Sequence, residues 1–259
     1  MEDPIHIGFL GGCINNQKGI AKDEFYYEVF SMLLQDRPHH QAVSIYLTFD
    51  TMVEKAERFM DKNNLDMLFL VIRQFPLMPL HKPFIKYENQ QGGVSWALHP
   101  ALWQRKLQWS KKLTEYHTLN EYVYKKKSRF GLRDLNLLAG KLMGLYRWAP
   151  AYVMQELVKV ADLCARKNVQ LIVLSTQQFL TSLMGNIACK KTSYYIEEQC
   201  AKQDIHYVNI IHLGEEHFAK DKVHFSADCH RFIANVLYDA FETHTFANIV
   251  PRAKMVHQH

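Results

Sequence analysis

Short apolar runs alternate along the chain with stretches in which apolar residues recur at helical spacing. Continuous apolar runs of this length are typical of strands buried on both faces of a parallel sheet. The predicted strands are residues 6–10, 42–49, 65–72, 169–175 and 205–211. The predicted helices are residues 23–35, 51–62, 152–167, 193–203 and 227–243. The alternation predicts an α/β fold with three layers, α/β/α, around a central parallel sheet of about five strands.

Two polar residues are suited to begin helices in this scheme. Asp23 stands at the start of the first predicted helix, and Ser226 directly precedes the last one. Both side chains can accept a hydrogen bond from a backbone N–H of the first helical turn. We therefore predict that each of them is an N-terminal cap.

Residues 76–150 interrupt the alternation. This segment contains all four tryptophans and the basic run at 125–129. A loop of that length without secondary structure would be unusual, so we predict a helical insertion within a single domain that spans residues 1–259. Because it follows the carboxyl end of a strand, where parallel sheets bind their ligands, it is placed to act as a lid over the site. Its tryptophans are interpreted as anchors of helix packing.

Composition narrows the class of protein. Hydrophobic residues make up 48% of the chain and charged residues 22%, which is ordinary for a globular protein. The net charge of +5 is too small to indicate nucleic-acid binding, although it would suit an acidic carrier protein or a phosphorylated substrate. No apolar run approaches the roughly 18 residues of a membrane helix. The acidic start also lacks the features of a signal peptide, so we expect a cytoplasmic protein that does not bind membranes.

The cysteines and histidines do not suggest a disulfide framework or a metal site. The five cysteines are widely spaced and form no C-x-x-C pair, so most are expected to be small buried residues. His212 and His217 are five residues apart, whereas zinc-binding histidines on one helix face are four apart. No metal or cofactor is therefore expected.

Asp221 and His224 form a candidate acid–base pair in the polar stretch after the fifth predicted strand. At this spacing the carboxylate can accept a hydrogen bond from Nδ1 of the imidazole and leave Nε2 free to act as a general base. The pair alone is a weak signal, because short D-x-x-H sequences occur by chance. Here it is followed by Phe225, Ser226 and a second histidine, His230, at the start of an apolar helix.

The whole run DKVHFSADCH, residues 221–230, resembles the last conserved block of SGNH (GDSL-type) hydrolases, D-x-x-H-x-S-x-x-G-H. Cys229 stands where that family usually has glycine. The resemblance implies that Asp221 and His224 are the acid and base of a catalytic triad. It also implies an esterase-like activity for the fold.

The first block of that family, G-D-S, follows the first strand. This chain has Gly11-Gly12-Cys13 there, so the resemblance puts Cys13 in place of the nucleophilic serine. A thiol is suited to the role, because a helix N-terminus and a nearby imidazolium both lower its pKa. The alternative is that Cys13 is a small buried residue that fills the turn.

The two middle blocks of the family are substituted. After the second strand the family has a glycine whose N–H donates to the oxyanion, and this chain has TFDTM. After the third strand the family has G-x-N-D, and this chain has Arg73 and Gln74. The amide of Gln74 or the cationic guanidinium of Arg73 could donate to an oxyanion together with backbone N–H groups near Gly12. Each could equally be a structural partner.

These residues together predict an acyl-transfer enzyme. His224, oriented by Asp221, would deprotonate Cys13, which would attack an ester or thioester carbonyl of a small-molecule acyl substrate. Hydrolysis is what the family implies, but amines and alcohols can also intercept a thioester intermediate. Transfer involving an acyl or peptidyl carrier protein therefore stays open. Two alternatives are a non-catalytic binding protein that kept the fold, and hydrolysis by a water that His224 activates while Cys13 is inert.

Overall fold

The structure is a computed structural model that describes residues 5–17, 19–34, 39–44, 52–72, 84–88, 94–98, 132–142, 145–175, 183–219 and 224–255. The strands are β1 (His6–Gly11), β2 (His39–Ser44), β3 (Met67–Val71), β4 (Phe84–Glu88), β5 (Val94–Leu98), β6 (Gln170–Leu174) and β7 (His206–Val208). The helices are α1 (Tyr26–Leu33), α2 (Met52–Asn63), α3 (Leu132–Leu142), α4 (Leu145–Arg166), α5 (Leu183–Lys202) and α6 (Ala227–Met255).

Five strands form one parallel sheet in the order β2-β1-β3-β6-β7. The predicted α/β class and the parallel sheet of about five strands are confirmed. All carboxyl ends of these strands lie at one edge of the sheet. The segments that follow β1 and β7, which hold the two candidate motifs, therefore begin at the same edge.

The core consists of two apolar clusters, one on each face of the sheet. Alternate residues of β3 supply them: Leu68 and Leu70 belong to one cluster, and Met67 and Phe69 to the other. The first cluster is completed by α2, α4 and α5, and the second by α1 and α6. Since successive side chains of a strand point to opposite faces, this division gives the three layers that the sequence predicts.

The segment predicted as a helical insertion is in part a β-hairpin. β4 and β5 pair in antiparallel fashion, with Phe84 opposite Leu98 and Glu88 opposite Val94. Aromatic and β-branched residues favour strands here, and the intervening Gly92-Gly93 is a turn signal that a helical interpretation overlooks. α3 and the start of α4 are the helical part. The remaining residues up to 131 lie outside the described residues, so the lid stays a prediction.

In the part of the chain that the structure describes, no helix combines the length and the apolar character needed to cross a membrane.

Candidate functional site

The chain makes a tight turn directly after β1. Gly11 ends the strand, and a Cβ added to it would lie 3.0 Å from both Cβ and Cγ2 of Val71 on β3, so glycine relieves a tight contact between the two strands. Cys13–Asn15 then form a single 3₁₀ turn, closed by the N–H of Asn15 donating to the carbonyl of Gly12 at 3.0 Å. The backbone of Cys13 is thereby held at the carboxyl end of β1.

Asn15 anchors this turn from inside the protein. Its side chain is only 4% exposed; Nδ2 donates to the carbonyl of Phe9 at 3.0 Å, and Oδ1 accepts from the hydroxyl of Tyr26 at 2.7 Å. Burial raises the pKa of Tyr26, so its hydroxyl stays a donor. The turn is therefore bonded both to β1 and to α1.

His224 lies in a short antiparallel pairing near the carboxyl end of the sheet. The N–H of Ala219 donates to the carbonyl of His224 at 2.7 Å, and the N–H of Ser226 donates to the carbonyl of His217 at 2.9 Å. These two bonds flank the pair Phe218 and Phe225. In such a pair the backbone groups of the two facing residues point away from each other, so the carbonyl of Phe225 is directed outward. The His224 side chain itself is partly buried.

Ser226 fixes the junction between this segment and α6. Its Oγ accepts from the N–H of Cys229 at 3.2 Å, the bond expected of an N-terminal cap, and donates to the carbonyl of His217 at 3.2 Å. The predicted cap is confirmed. The second bond joins the start of α6 to the 3₁₀ turn Glu215–His217, which directly precedes the residues that pair with the His224 segment.

Gln17 connects the turn after β1 with the His224 segment. Its Nε2 donates to the outward carbonyl of Phe225 at 2.7 Å, and the residue is 6% exposed. Its Oε1 is buried and has no hydrogen-bond partner in the described ranges. The two segments that carry the candidate motifs are thus in direct contact. The contact joins Gln17, four residues after Cys13, to Phe225, the residue that follows His224.

His230 makes a second contact between these ends of the chain. The imidazole is fully buried, and its Nδ1 accepts from the N–H of Tyr26, the first residue of α1, at 3.2 Å. Burial lowers the pKa of His230 to about 4, so the ring is neutral. The first N–H groups of a helix have no hydrogen-bond partners within the helix, and His230 is the acceptor for one of them.

The prediction that Asp23 caps this helix is wrong. Asp23 lies in a preceding 3₁₀ turn, and the cap position is Phe25, which makes no side-chain hydrogen bond there.

The strand ends beside the His224 segment are held by a polar network. Ser175 Oγ, at the end of β6, accepts from the N–H of Ile210 at 2.8 Å. Asn209 Oδ1 accepts from the hydroxyl of Ser193 at 3.0 Å and from the N–H of Ile211 at 3.1 Å. These bonds replace the sheet ladder just past β7 and fix the start of the segment that leads to His224.

Burial disfavours the thiolate form of the described cysteines. Burial raises the pKa of Cys164, Cys200 and Cys229 to about 12 and also raises that of Cys189. All four are buried free thiols, which confirms the expectation for most of the cysteines. Cys229, at the position of the family's glycine, packs in the cluster between the sheet, α1 and α6.

The structure thus places Gly12, the backbone of Cys13 and His224 in two segments that contact each other. The side chains of Cys13, Asp221, Arg73 and Gln74 lie outside the described residues. Sequence reasoning did not identify Asn15 or Gln17. Neither belongs to a motif, and the only signal for them is that polar side chains follow the turn after a buried strand.

No protein-family profile matches the sequence, and none of the curated proteins is similar to it in sequence. Solved structures do resemble it. A lipolytic protein of the G-D-S-L family from Veillonella parvula is 12% identical with a TM-score of 0.52, covering 92% of this chain and 98% of its own. A GDSL-like lipase from Bacteroides thetaiotaomicron is 11% identical with a TM-score of 0.52, covering 92% and 88%. TesA is 10% identical with a TM-score of 0.52, covering 92% and 98%. The likeness extends over nearly the whole of each chain, and the protein therefore has the fold of GDSL-type hydrolases.

Proposed function

We propose that the protein is a hydrolase of ester bonds. The observation that carries this proposal is the contact between Gln17 and the carbonyl of Phe225, which brings together the turn that begins at Cys13 and the segment of His224. The solved structures that share the fold include proteins described as a lipase and as a lipolytic protein. Motif positions, fold and the contact between the two segments that carry the motifs support the same chemistry.

In the mechanism we propose, Asp221 accepts a hydrogen bond from Nδ1 of His224, and Nε2 takes the proton of Cys13. The thiolate attacks the substrate carbonyl, and the negative oxygen is stabilised by the backbone N–H groups near Gly12 together with Arg73 or Gln74. The alcohol leaves with the proton from His224, and a thioester to Cys13 remains. His224 then deprotonates a water that attacks this thioester, which releases the acid and restores the thiol.

Acyl transfer to an acceptor other than water is a more specific version of the same proposal. If an alcohol or amine replaces water in the second half, the acyl group passes to that acceptor instead. The leaving group could equally be a thiol, as in a substrate bound to an acyl or peptidyl carrier protein. The net charge of +5 is compatible with an acidic carrier.

The surroundings of the cysteines allow a direct test. Because four thiols are buried with raised pKa values, iodoacetamide added to the native protein should react mainly at Cys13 if that thiol is activated. We would measure alkylation of each cysteine by peptide mass across pH in the wild type, His224→Ala and Asp221→Asn. Activation predicts that Cys13 reacts at a pH below the ordinary thiol value of about 8.5, and that His224→Ala restores the ordinary value.

Turnover is measured alongside with p-nitrophenyl acetate and a panel of acyl thioesters. An acyl adduct on Cys13, absent in Cys13→Ala, would support the thiol mechanism. Turnover that persists in Cys13→Ala but is lost in His224→Ala would assign the reaction to a water activated by His224. An ordinary Cys13 together with no adduct and no turnover would instead identify a binding protein that kept the fold.

A further inference from the structure

We propose that Gln17 is a positioning residue for His224: its amide holds the carbonyl of Phe225 and so fixes the imidazole relative to the Cys13 turn. This inference rests on the proposed function, because it assigns Gln17 a part in bringing the base to the nucleophile. Gln17 would not touch the substrate.

Two bonds on successive residues hold the backbone at this point. The carbonyl of His224 accepts from the N–H of Ala219 at 2.7 Å, and the carbonyl of Phe225 accepts from Gln17 Nε2, also at 2.7 Å. The first bond ties the segment to the residues just before it in sequence, at the isolated β-bridge between Phe218 and Phe225. The second ties it across 208 positions of sequence to the turn after β1. Of these two bonds, only the one from Gln17 sets the distance between the two motifs.

The chemistry of the contact requires an amide. A backbone carbonyl only accepts hydrogen bonds, so its partner must be a donor. A carboxylate in place of the amide would put two acceptors 2.7 Å apart in a buried environment. An apolar side chain would leave a buried carbonyl without this partner, which is unfavourable. At 6% exposure, water has little access to replace the lost donor.

A small displacement at this point matters for catalysis more than for folding. A general base must lie within about 2.6–3.2 Å of the proton that it removes. A shift of about 1 Å in a positioned group can lower a rate by about 100-fold. The segment is also held by Ser226 and by the pairing with Ala219. Loss of the Gln17 bond should therefore loosen the His224 position without unfolding α6.

The test compares Gln17→Leu with Asn63→Leu. Asn63 is a matched control, because its side-chain amide also donates to a backbone carbonyl, that of Phe59, at 2.7 Å. It lies at the end of α2, and the residues that follow it lead into the amino end of β3. For both variants we would measure the pH dependence of Cys13 alkylation by iodoacetamide, kcat and KM for p-nitrophenyl acetate, and the thermal transition.

For Gln17→Leu we expect the alkylation profile to move toward that of His224→Ala, with a rate near neutral pH about tenfold lower for each unit of rise in thiol pKa. The value of kcat should fall while KM changes little, because positioning affects the transition state more than substrate binding. Asn63→Leu should keep the wild-type profile. A wild-type profile in Gln17→Leu, or an equal change in Asn63→Leu, would overturn the inference.

Two further measurements keep the test decisive. If Gln17→Leu does not fold, Gln17→Glu replaces it, and its protonated carboxyl should partly restore the donor at acid pH. If wild type and His224→Ala alkylate alike, the thiol mechanism of the proposed function fails. Amide hydrogen exchange at Ala219, which donates to His224, then decides the role of Gln17 separately. Faster exchange in Gln17→Leu than in Asn63→Leu supports a positioning role for Gln17, and equal exchange rejects that role.

Discussion

His230 shows how one buried polar side chain can organise the region around the site. Its Nδ1 accepts the first N–H of α1, while its ring packs edge-on to Phe25 at a centroid distance of 5.4 Å and lies parallel to Tyr26 at 6.0 Å. The proton therefore resides on Nε2, which has no partner among the described residues. A neutral imidazole can be an acceptor and an aromatic packing unit at once. A protonated one would lose the acceptor and bury a charge.

We therefore expect His230 to make the protein sensitive to acid. The pKa of His230 is lowered from 6.5 to about 4 in the folded state. Between these values the unfolded chain binds more protons than the folded one, so stability falls as the pH falls, by up to about 3 kcal/mol. In His230→Gln the side-chain oxygen can still accept from Tyr26, but nothing titrates. The free energy of unfolding, measured by urea denaturation at several pH values, should fall less on acidification than in the wild type.

The neighbouring charges serve as a check on this prediction. Arg231 contacts Glu24 at 3.6 Å and Asp228 at 3.1 Å on the surface beside His230. Loss of these exposed pairs in acid is expected to contribute little. If Arg231→Gln flattened the pH dependence as much as His230→Gln, the assignment to the imidazole would be wrong.

At the scale of elements, burial on both faces decides how well a boundary could be predicted. β3 is buried along its whole length and was predicted with an error of one or two residues at each end. β7 was predicted over 205–211 but has only three residues, because Ser175 and Asn209 take over the N–H groups of Ile210 and Ile211. α5 begins at Leu183 rather than at residue 193. Gly185 weakens the helical pattern near the start of α5, so the sequence does not indicate the first turns of this helix. The local sequence shows apolar runs, but it does not show which side chains accept hydrogen bonds from backbone N–H groups.

The junction at the start of α6 gives a prediction at this scale. Ser226→Ala removes both the cap bond to Cys229 and the bond to the carbonyl of His217. Loss of a cap alone costs about 0.5–2 kcal/mol, so we expect a stability loss near the upper end of that range. Ser226→Thr keeps the hydroxyl and should recover most of the loss. Thermal denaturation measures both, and equal destabilisation by Thr and Ala would contradict the role of the hydroxyl.

At the scale of the whole molecule, the two clusters share the strands between them. Phe9 and Phe69 stack at 4.8 Å on the face toward α1 and α6, while Leu10 and Leu70 pack on the other face. The order of strands and helices sufficed to predict this architecture. For the candidate site, the sequence offers motifs only at the two ends of the chain, and the catalytic roles of their residues stay predictions. Its internal connections, Gln17 to Phe225 and Tyr26 to His230, join residues more than 200 positions apart, which no local pattern encodes.

A sheet shared by both clusters implies that the layers unfold together. Leu157 and Leu237 are fully buried on opposite faces, and truncation of a buried leucine to alanine costs about 2–5 kcal/mol. We expect Leu157→Ala and Leu237→Ala each to lower one common transition, seen at the same urea concentration by near-UV and far-UV circular dichroism. Leu142→Ala is the matched control, since that side chain is 83% exposed and should change stability by less than about 0.5 kcal/mol. Separate transitions for the two probes in either core variant would mean that one helical layer melts while the sheet persists. The strands would then need to keep one face covered without the other, which is unfavourable because apolar side chains lie on both faces of the strands.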